Sequence, residues 1–259
     1  MNISGRVFTQ SGDKVGIGGF IVTGSSTKRI MVRGIGPSMK ANGVPVAGRL
    51  SDPTIELRDS KGSPALFNDN WRSSQEAEIA QSGLAPQDDK EAAIIKRLEP
   101  GAYTATIRNA DGSDGIGLIE LYDLSSTDPS EMGNLSVRAQ VGTGDNVLID
   151  GLILQGNDPK RVLFRALGPS VKANGVTVPG ALMDPVLEVH DSNGTTLLTN
   201  DNWKDAPNKV DIEASGLAPN DDHESAILLT LSAGNYTSIV RGVNGTTGIA
   251  LSEAYKLTN

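Results

Sequence analysis

Short apolar runs separated by polar turns set the pattern of this chain. Ile3 to Thr9 is a candidate strand, breaks at Ser11-Gly12-Asp13-Lys14, and is followed by a nearly continuous apolar run from Val15 to Val22. Arg29 to Arg33 leads into Gly36-Pro37-Ser38. Thr54 to Arg58 alternates apolar with polar residues, turns at Asp59 to Gly62, and returns through Ala65 to Phe67. Ala92 to Leu98, Tyr103 to Arg108 and Ile116 to Tyr122 complete the series. Short runs bounded by Gly, Pro and Asx residues read as strands; alternation marks a half-buried strand and a continuous apolar run a core strand. One helix is predicted between Trp71 and Gly83, where Ser73 and Glu76 have capping-box spacing and Gly83 offers a C-terminal stop. Gly19, inside the second run, predicts a bulge or a close backbone approach. Pro37 fixes its own φ, so Gly36-Pro37-Ser38 is predicted as a turn.

The whole pattern is written twice. Arg33-Gly34-Ile35-Gly36-Pro37-Ser38-Met39-Lys40-Ala41-Asn42-Gly43-Val44 returns as Arg165-Ala166-Leu167-Gly168-Pro169-Ser170-Val171-Lys172-Ala173-Asn174-Gly175-Val176, 165 − 33 = 132 residues later, with nine of the twelve positions identical. The offset becomes 216 − 83 = 133 at Gly83 and Gly216, so the second copy carries one extra residue near Pro207. Self-similarity at this period means an internal duplication. The expected fold is therefore all-β: two tandem antiparallel β-sandwich (jelly-roll-like) domains, residues 1–128 and 133–259, joined by the polar linker Ser125 to Glu131.

Composition agrees with this reading. Thirty Gly and thirteen Pro in 259 residues mean frequent turns. A net charge of −8 argues against nucleic acid as a partner and suits cations. No apolar run approaches the ~20 residues that cross a bilayer, so no membrane insertion is expected. The absence of Cys rules out disulfides and thiolate chemistry but is compatible with export. The chain enters the repeat directly at Asn2-Ile3-Ser4, without a signal peptide, as a trimmed mature protein or an excised piece of a longer one would.

A resemblance attaches to particular residues. The Asp184-Pro185 strand with its Asp191 to Gly194 turn, Asn200-Asp201-Asn202, Gly234-Asn235-Tyr236-Thr237 and Gly248-Ile249-Ala250-Leu251 occur in this order. From the Asp-Pro strand onward each repeat resembles the pre-peptidase C-terminal type of β-sandwich. The whole unit resembles tandem repeats of large secreted or surface proteins of environmental bacteria. The resemblance implies a non-catalytic, extracellular or cell-surface appendage, of a kind that in some cases binds calcium or a polymer.

Three constellations carry candidate chemistry. Asn68-Asp69-Asn70 and Asp88-Asp89-x-Glu91, with Asn200-Asp201-Asn202 and Asp221-Asp222-x-Glu224, are oxygen-rich loops. Ca²⁺ takes six to eight oxygens and accepts loop ligands. Asp69, Asp88, Asp89 and Glu91, and Asp201, Asp221, Asp222 and Glu224, are the candidate calcium ligands; the alternative is turn caps and solvated carboxylates. Trp71 and Trp203, the only tryptophans, are candidates to stack on a sugar ring or anchor a protein partner, or else to plug one end of the core. Arg33, Glu120, Arg165, Glu253, Glu56, Glu188, Arg108 and Arg241 recur as strand charges; they read as ordinary outward cross-strand pairs, the alternative being inward pairs that are buried and must be satisfied. Catalysis has little behind it: Ser38 and Ser170 have no nearby His, and His190 and His223 have no counterpart in the first copy. The expected function is a non-catalytic binding, adhesion or stalk module with possible structural Ca²⁺, its partner an extracellular polymer or a cell-surface protein or glycan. The alternative is a carbohydrate-binding pair from a secreted polysaccharide-degrading enzyme; a hydrolase built on acidic residues ranks last.

Overall fold

The computed structural model describes residues 2–61, 63–125, 128–173 and 175–257. The chain is all-β, with antiparallel pairing and only short helices, and it divides into two compact units, Asn2–Leu135 and Ser136–Asn259. Ser126 and Thr127, at the centre of the expected linker, lie outside the described residues.

In the first unit the strands are β1 (Asn2–Thr9), β2 (Gly16–Thr23), β3 (Lys28–Ile35), β4 (Lys40–Ala41), β5 (Val44–Pro45), β6 (Pro53–Asp59), β7 (Leu66–Asn68), β8 (Ala92–Leu98), β9 (Gly101–Asn109) and β10 (Gly115–Asp123). One ladder runs β1–β10–β3–β8 and another β2–β9–β6–β7. Alternation decides which side chains go inside: Ile3 and Val7 on β1, Ile55 and Leu57 on β6, and Ala105 and Ile107 on β9 are buried, with polar residues between them. The two ladders meet closely, since a Cβ at Gly34 of β3 would lie 2.8 Å from Ile55 of β6.

The second unit repeats this order. Its strands are β11 (Glu131–Val141, which starts before the boundary at Ser136), β12 (Leu148–Leu154), β13 (Lys160–Leu167), β14 (Lys172–Ala173), β15 (Val176–Thr177), β16 (Pro185–His190), β17 (Thr196–Asn200), β18 (Ser225–Leu231), β19 (Gly234–Gly242) and β20 (Gly248–Leu257). The ladders are β11–β20–β13–β18 and β12–β19–β16–β17. β11 begins at Glu131, inside the stretch expected to be linker.

Three expectations need correction. Pairing runs without a register shift through Gly19 (opposite Thr104) and Gly151 (opposite Thr237), so neither glycine makes a bulge. The predicted helix is a 3₁₀ turn, Trp71–Ser73, followed by α1 (Glu76–Gln81), and no capping box forms. Ser73 Oγ instead donates to the Asn70 carbonyl, and Glu76 pairs with Arg72. The residue before α1, Gln75, uses its amide to pair with both backbone groups of Ile95, as an added strand residue would. Gly83 does end the segment, at φ +73°, where only glycine is unstrained. The second copy matches, with 3₁₀ turn Trp203–Asp205 and α2 (Lys209–Ala214).

Candidate functional site

In each unit the outer face of the first ladder carries two covers. At one end the 3₁₀ turn and short helix pack Trp71 and Ile79 onto Met31, Ala93 and Ile95. At the other, the turn at Gly36 and the β4–β5 hairpin pack Met39 and Val46 onto Ile35, Ile116 and Phe8. The second unit has the same pair, with Trp203 and Ile212 on Leu163, Ala226 and Leu228, and Val171 and Val178 on Leu167 and Ile249.

A buried carboxylate ties the covers together. Glu91, fully buried, accepts on Oε1 from Gly36 N (3.1 Å), Ser38 N (2.9 Å) and Ser38 Oγ (2.7 Å), and on Oε2 from Asp88 N (3.2 Å). Glu224 does the same with Gly168 N (2.9 Å), Ser170 N (2.9 Å), Ser170 Oγ (2.6 Å) and Asp221 N (3.3 Å). A buried carboxylate needs this many donors to offset its desolvation. The turn is held as tightly on its other side: a Cβ at Gly36 would lie 2.4 Å from the Leu50 carbonyl oxygen, and one at Gly168 1.7 Å from that of Leu182. The Met39 N to Gly36 O bond of 3.0 Å confirms the predicted turn.

The gap between the covers is a groove of about 430 Å³ in the first unit, lined by Arg6, Arg33, Lys40, Gln87, Leu118 and Glu120 among others. Its floor is a closed ionic network. Arg33 Nε donates to Glu120 Oε2 at 2.8 Å, a second nitrogen reaches the Leu84 carbonyl at 2.5 Å and a third the Tyr122 hydroxyl at 3.0 Å, while Tyr122 donates to Glu120 Oε1 at 2.8 Å. Arg165, Glu253, Leu217 and Tyr255 repeat every bond of this set. The pairs are buried, with side chains 15% and 10% exposed in the first copy and 12% and 7% in the second, which corrects the expectation of outward surface pairs. These residues do point away from the central core; the covers bury them from the other side. Burial first, then the neighbouring Glu120 or Glu253 carboxylate, pushes the Tyr122 and Tyr255 phenols up to about 12. On the other ladder, Glu188 and Arg241 form a partly exposed pair at 3.5 Å, as expected of a surface strand.

The acidic loops are organised differently from a metal shell. Glu91 and Glu224 spend their oxygens on the turn and on the Asp88 and Asp221 amides. Asp88 and Asp221 use Oδ1 to accept from Lys90 N and His223 N, each at 3.0 Å. Asp89 pairs with Arg72 and Asp222 with Lys204, both at 2.6 Å. Asp69 Oδ2 accepts from Asn70 at 3.2 Å, while its Oδ1 is buried with no hydrogen-bond partner among the described residues. Asp201 is pushed up from the usual carboxylate range by partial burial and then by Asp184 and Asp205. Asp52 and Asp184, strand-start acids not singled out from the sequence, also carry a buried Oδ1 with no hydrogen-bond partner among the described residues. Among the described residues no group of three or more His, Cys, Asp or Glu side chains is gathered to hold a metal ion.

Trp71 and Trp203 are 4% and 6% exposed. Their indole N–H groups donate to the Asp88 and Asp221 carbonyls at 3.2 and 3.1 Å, and Arg72 and Lys204 lie over the rings. Neither ring offers an open face for a sugar, and the plug arrangement is the one adopted. The floor network and the Glu91 clamp escaped the sequence reading, although their retention at matched positions in both copies was visible there.

No helix among the described residues is long and apolar enough to cross a membrane. No protein-family model matches the chain, and a search of the curated proteins finds no significant relative.

Proposed function

We propose that the chain is a duplicated pair of antiparallel β-sandwiches acting as a non-catalytic binding module of an exported bacterial protein. Its ligand is an extracellular polymer held between the two covers of a unit. The observation that carries this reading is the groove itself. It has a preformed charged floor, Arg33 on Glu120, and its walls, which Arg6 also lines, offer Lys40 and Gln87 as hydrogen-bond donors. Such donors suit the hydroxyl and carboxylate oxygens of a polysaccharide. The second copy carries Arg138, Arg165, Lys172 and Glu253 at matched positions. A non-catalytic role is supported by the serines: Ser38 and Ser170 donate to a buried carboxylate, while His190 and His223 are engaged with Glu188 and Asp221.

Retention of the full chain on soluble neutral and uronic-acid polysaccharides, with and without Lys40→Ala and Gln87→Ala together, tests the site. The double variant should weaken binding while the urea midpoint stays within experimental scatter. Unchanged binding would place the ligand elsewhere, and turnover on the same panel would replace a binding role with an enzymatic one.

A further inference from the structure

Where the first unit has an apolar core layer, the second has a polar one. Gly18 on β2 lies opposite Ala105 on β9, and a Cβ there would meet Ile119 of β10 at 3.0 Å. The matched positions are 18 + 132 = 150, 105 + 133 = 238 and 119 + 133 = 252, which are Asp150, Ser238 and Ser252. Asp150 faces Ser238 across β12 and β19, as Gly18 faces Ala105. All three polar residues are buried, at 5%, 4% and 2% exposure. The changes fit together: with glycine the space is filled by the long Ile119 side chain, and with aspartate the opposing residue shrinks to serine and gains a hydroxyl. Asp150 takes a hydrogen bond from Ser252, yet its Oδ1 is buried with no partner among the described residues.

Among the described residues no charge compensates this carboxyl. Leu148 and Leu152 flank it on the same face of β12. On β13 and β20, Arg165 and Glu253 point to the opposite face and close on each other. On β16 and β19, Glu188, His190 and Arg241 also face outward and pair together. Arg138 on β11 and Arg161 on β13 alternate outward as well. Lys160 and Lys256 share the inward parity but lie at strand ends remote from the cluster, opposite Leu231 and Val162.

We propose that the Asp150–Ser238–Ser252 cluster is a pH-sensitive element that stabilises the second unit in acid and loosens it as the medium turns neutral. An uncompensated carboxylate in an apolar layer is costly, whereas the protonated acid is tolerated. Burial pushes the Asp150 carboxyl up to about 7, against a smaller lowering by Ser252. The sign follows from the raised value. Between the ordinary carboxylate range and about 7 the unfolded chain gives up this proton and the folded unit keeps it. Each pH unit in that window therefore lowers the folding equilibrium constant by up to about tenfold. The first unit, with Gly18 and Ile119, has no such group at this place.

Each unit has one tryptophan, so the full chain can report on either. In the Trp71→Phe chain, Trp203 follows urea unfolding of the second unit between pH 5 and 8, with and without Asp150→Asn. The expected result is that the asparagine chain gains on its parent as pH rises, by up to about tenfold in equilibrium constant per unit up to about pH 7. Any contribution from His190 and His223 is common to both chains and cancels. A constant difference across the range overturns the proposal. If the asparagine chain does not fold, carbon-detected NMR titration of the parent decides: an aspartate carboxyl with a midpoint near 7 supports the switch, and aspartates that all titrate below about 5 overturn it.

Discussion

Glu91 and Glu224 show how one side chain can fix a motif far away in sequence. Each reaches across more than fifty residues to a Gly-Pro-Ser turn and satisfies two backbone amides and a hydroxyl there. Removing the carboxylate strands buried donors, so Glu91→Ala should cost about 3 kcal/mol or more, and Glu224→Ala the same, in urea unfolding. Ser38→Ala removes one hydroxyl bond and leaves both amides paired, so it should cost about 1–2 kcal/mol. Equal losses from Glu91→Ala and Ser38→Ala would mean that the amide bonds contribute nothing. The same commitment bears on calcium. A metal shell at Asp88, Asp89 and Glu91 would have to displace the turn amides and the Arg72 pair. The melting temperature should therefore be the same in millimolar Ca²⁺ and in chelator. A clear rise with Ca²⁺ would return these carboxylates, with Asp69 and Asp201, to the status of ligands, since an ion that binds only the folded form stabilises it in proportion to its occupancy.

At the scale of elements, the strands were legible in the sequence because each carries its own signal, an apolar run with Gly, Pro or Asx at both ends. Their boundaries shifted by a residue or two, as with Leu66–Asn68 for the expected Ala65 to Phe67. The short helix was legible as a segment but not in its start, because Gln75 pairs with the edge of β8, a contact between residues 20 apart. The β4–β5 hairpin was missed, although Asn42-Gly43, both at positive φ, is a tight-turn signature. The site was the least legible part. Arg33 and Glu120 alternate as outward strand charges do, and only the covers, which no local pattern announces, bury them. Gly36 illustrates an element-level dependence: its backbone passes so close to Leu50 that Gly36→Ala must push the turn off the following loop. That substitution should cost about 2 kcal/mol or more and loosen the hairpin cover, read as faster amide exchange at Met39 and Val46. Unchanged protection at those two amides would show that the turn can move at little cost.

Across the whole molecule, duplicated networks and an unmatched core layer separate two pH windows. The Asp150 window belongs to the second unit alone. An alkaline window belongs to both, because Tyr122 and Tyr255 are each pushed up to about 12 by burial and then by an adjacent glutamate. A phenol whose folded value is raised keeps its proton after the unfolded chain has begun to lose it. The stability it supports is full below about pH 10 and is lost as pH climbs toward 12. With discounting for the partial exposure of these rings, each unit should lose roughly 1–2 kcal/mol over that interval. Tyr122→Phe and Tyr255→Phe remove the ionisation together with the hydrogen bonds to Arg33 and Glu120, or to Arg165 and Glu253. Each substituted unit should start lower at pH 8 and then decline less steeply toward pH 11.5, with the other unit unchanged when followed by its own tryptophan. An alkaline slope that survives the tyrosine substitution would assign the loss to lysine deprotonation and free the floor network of any part in it.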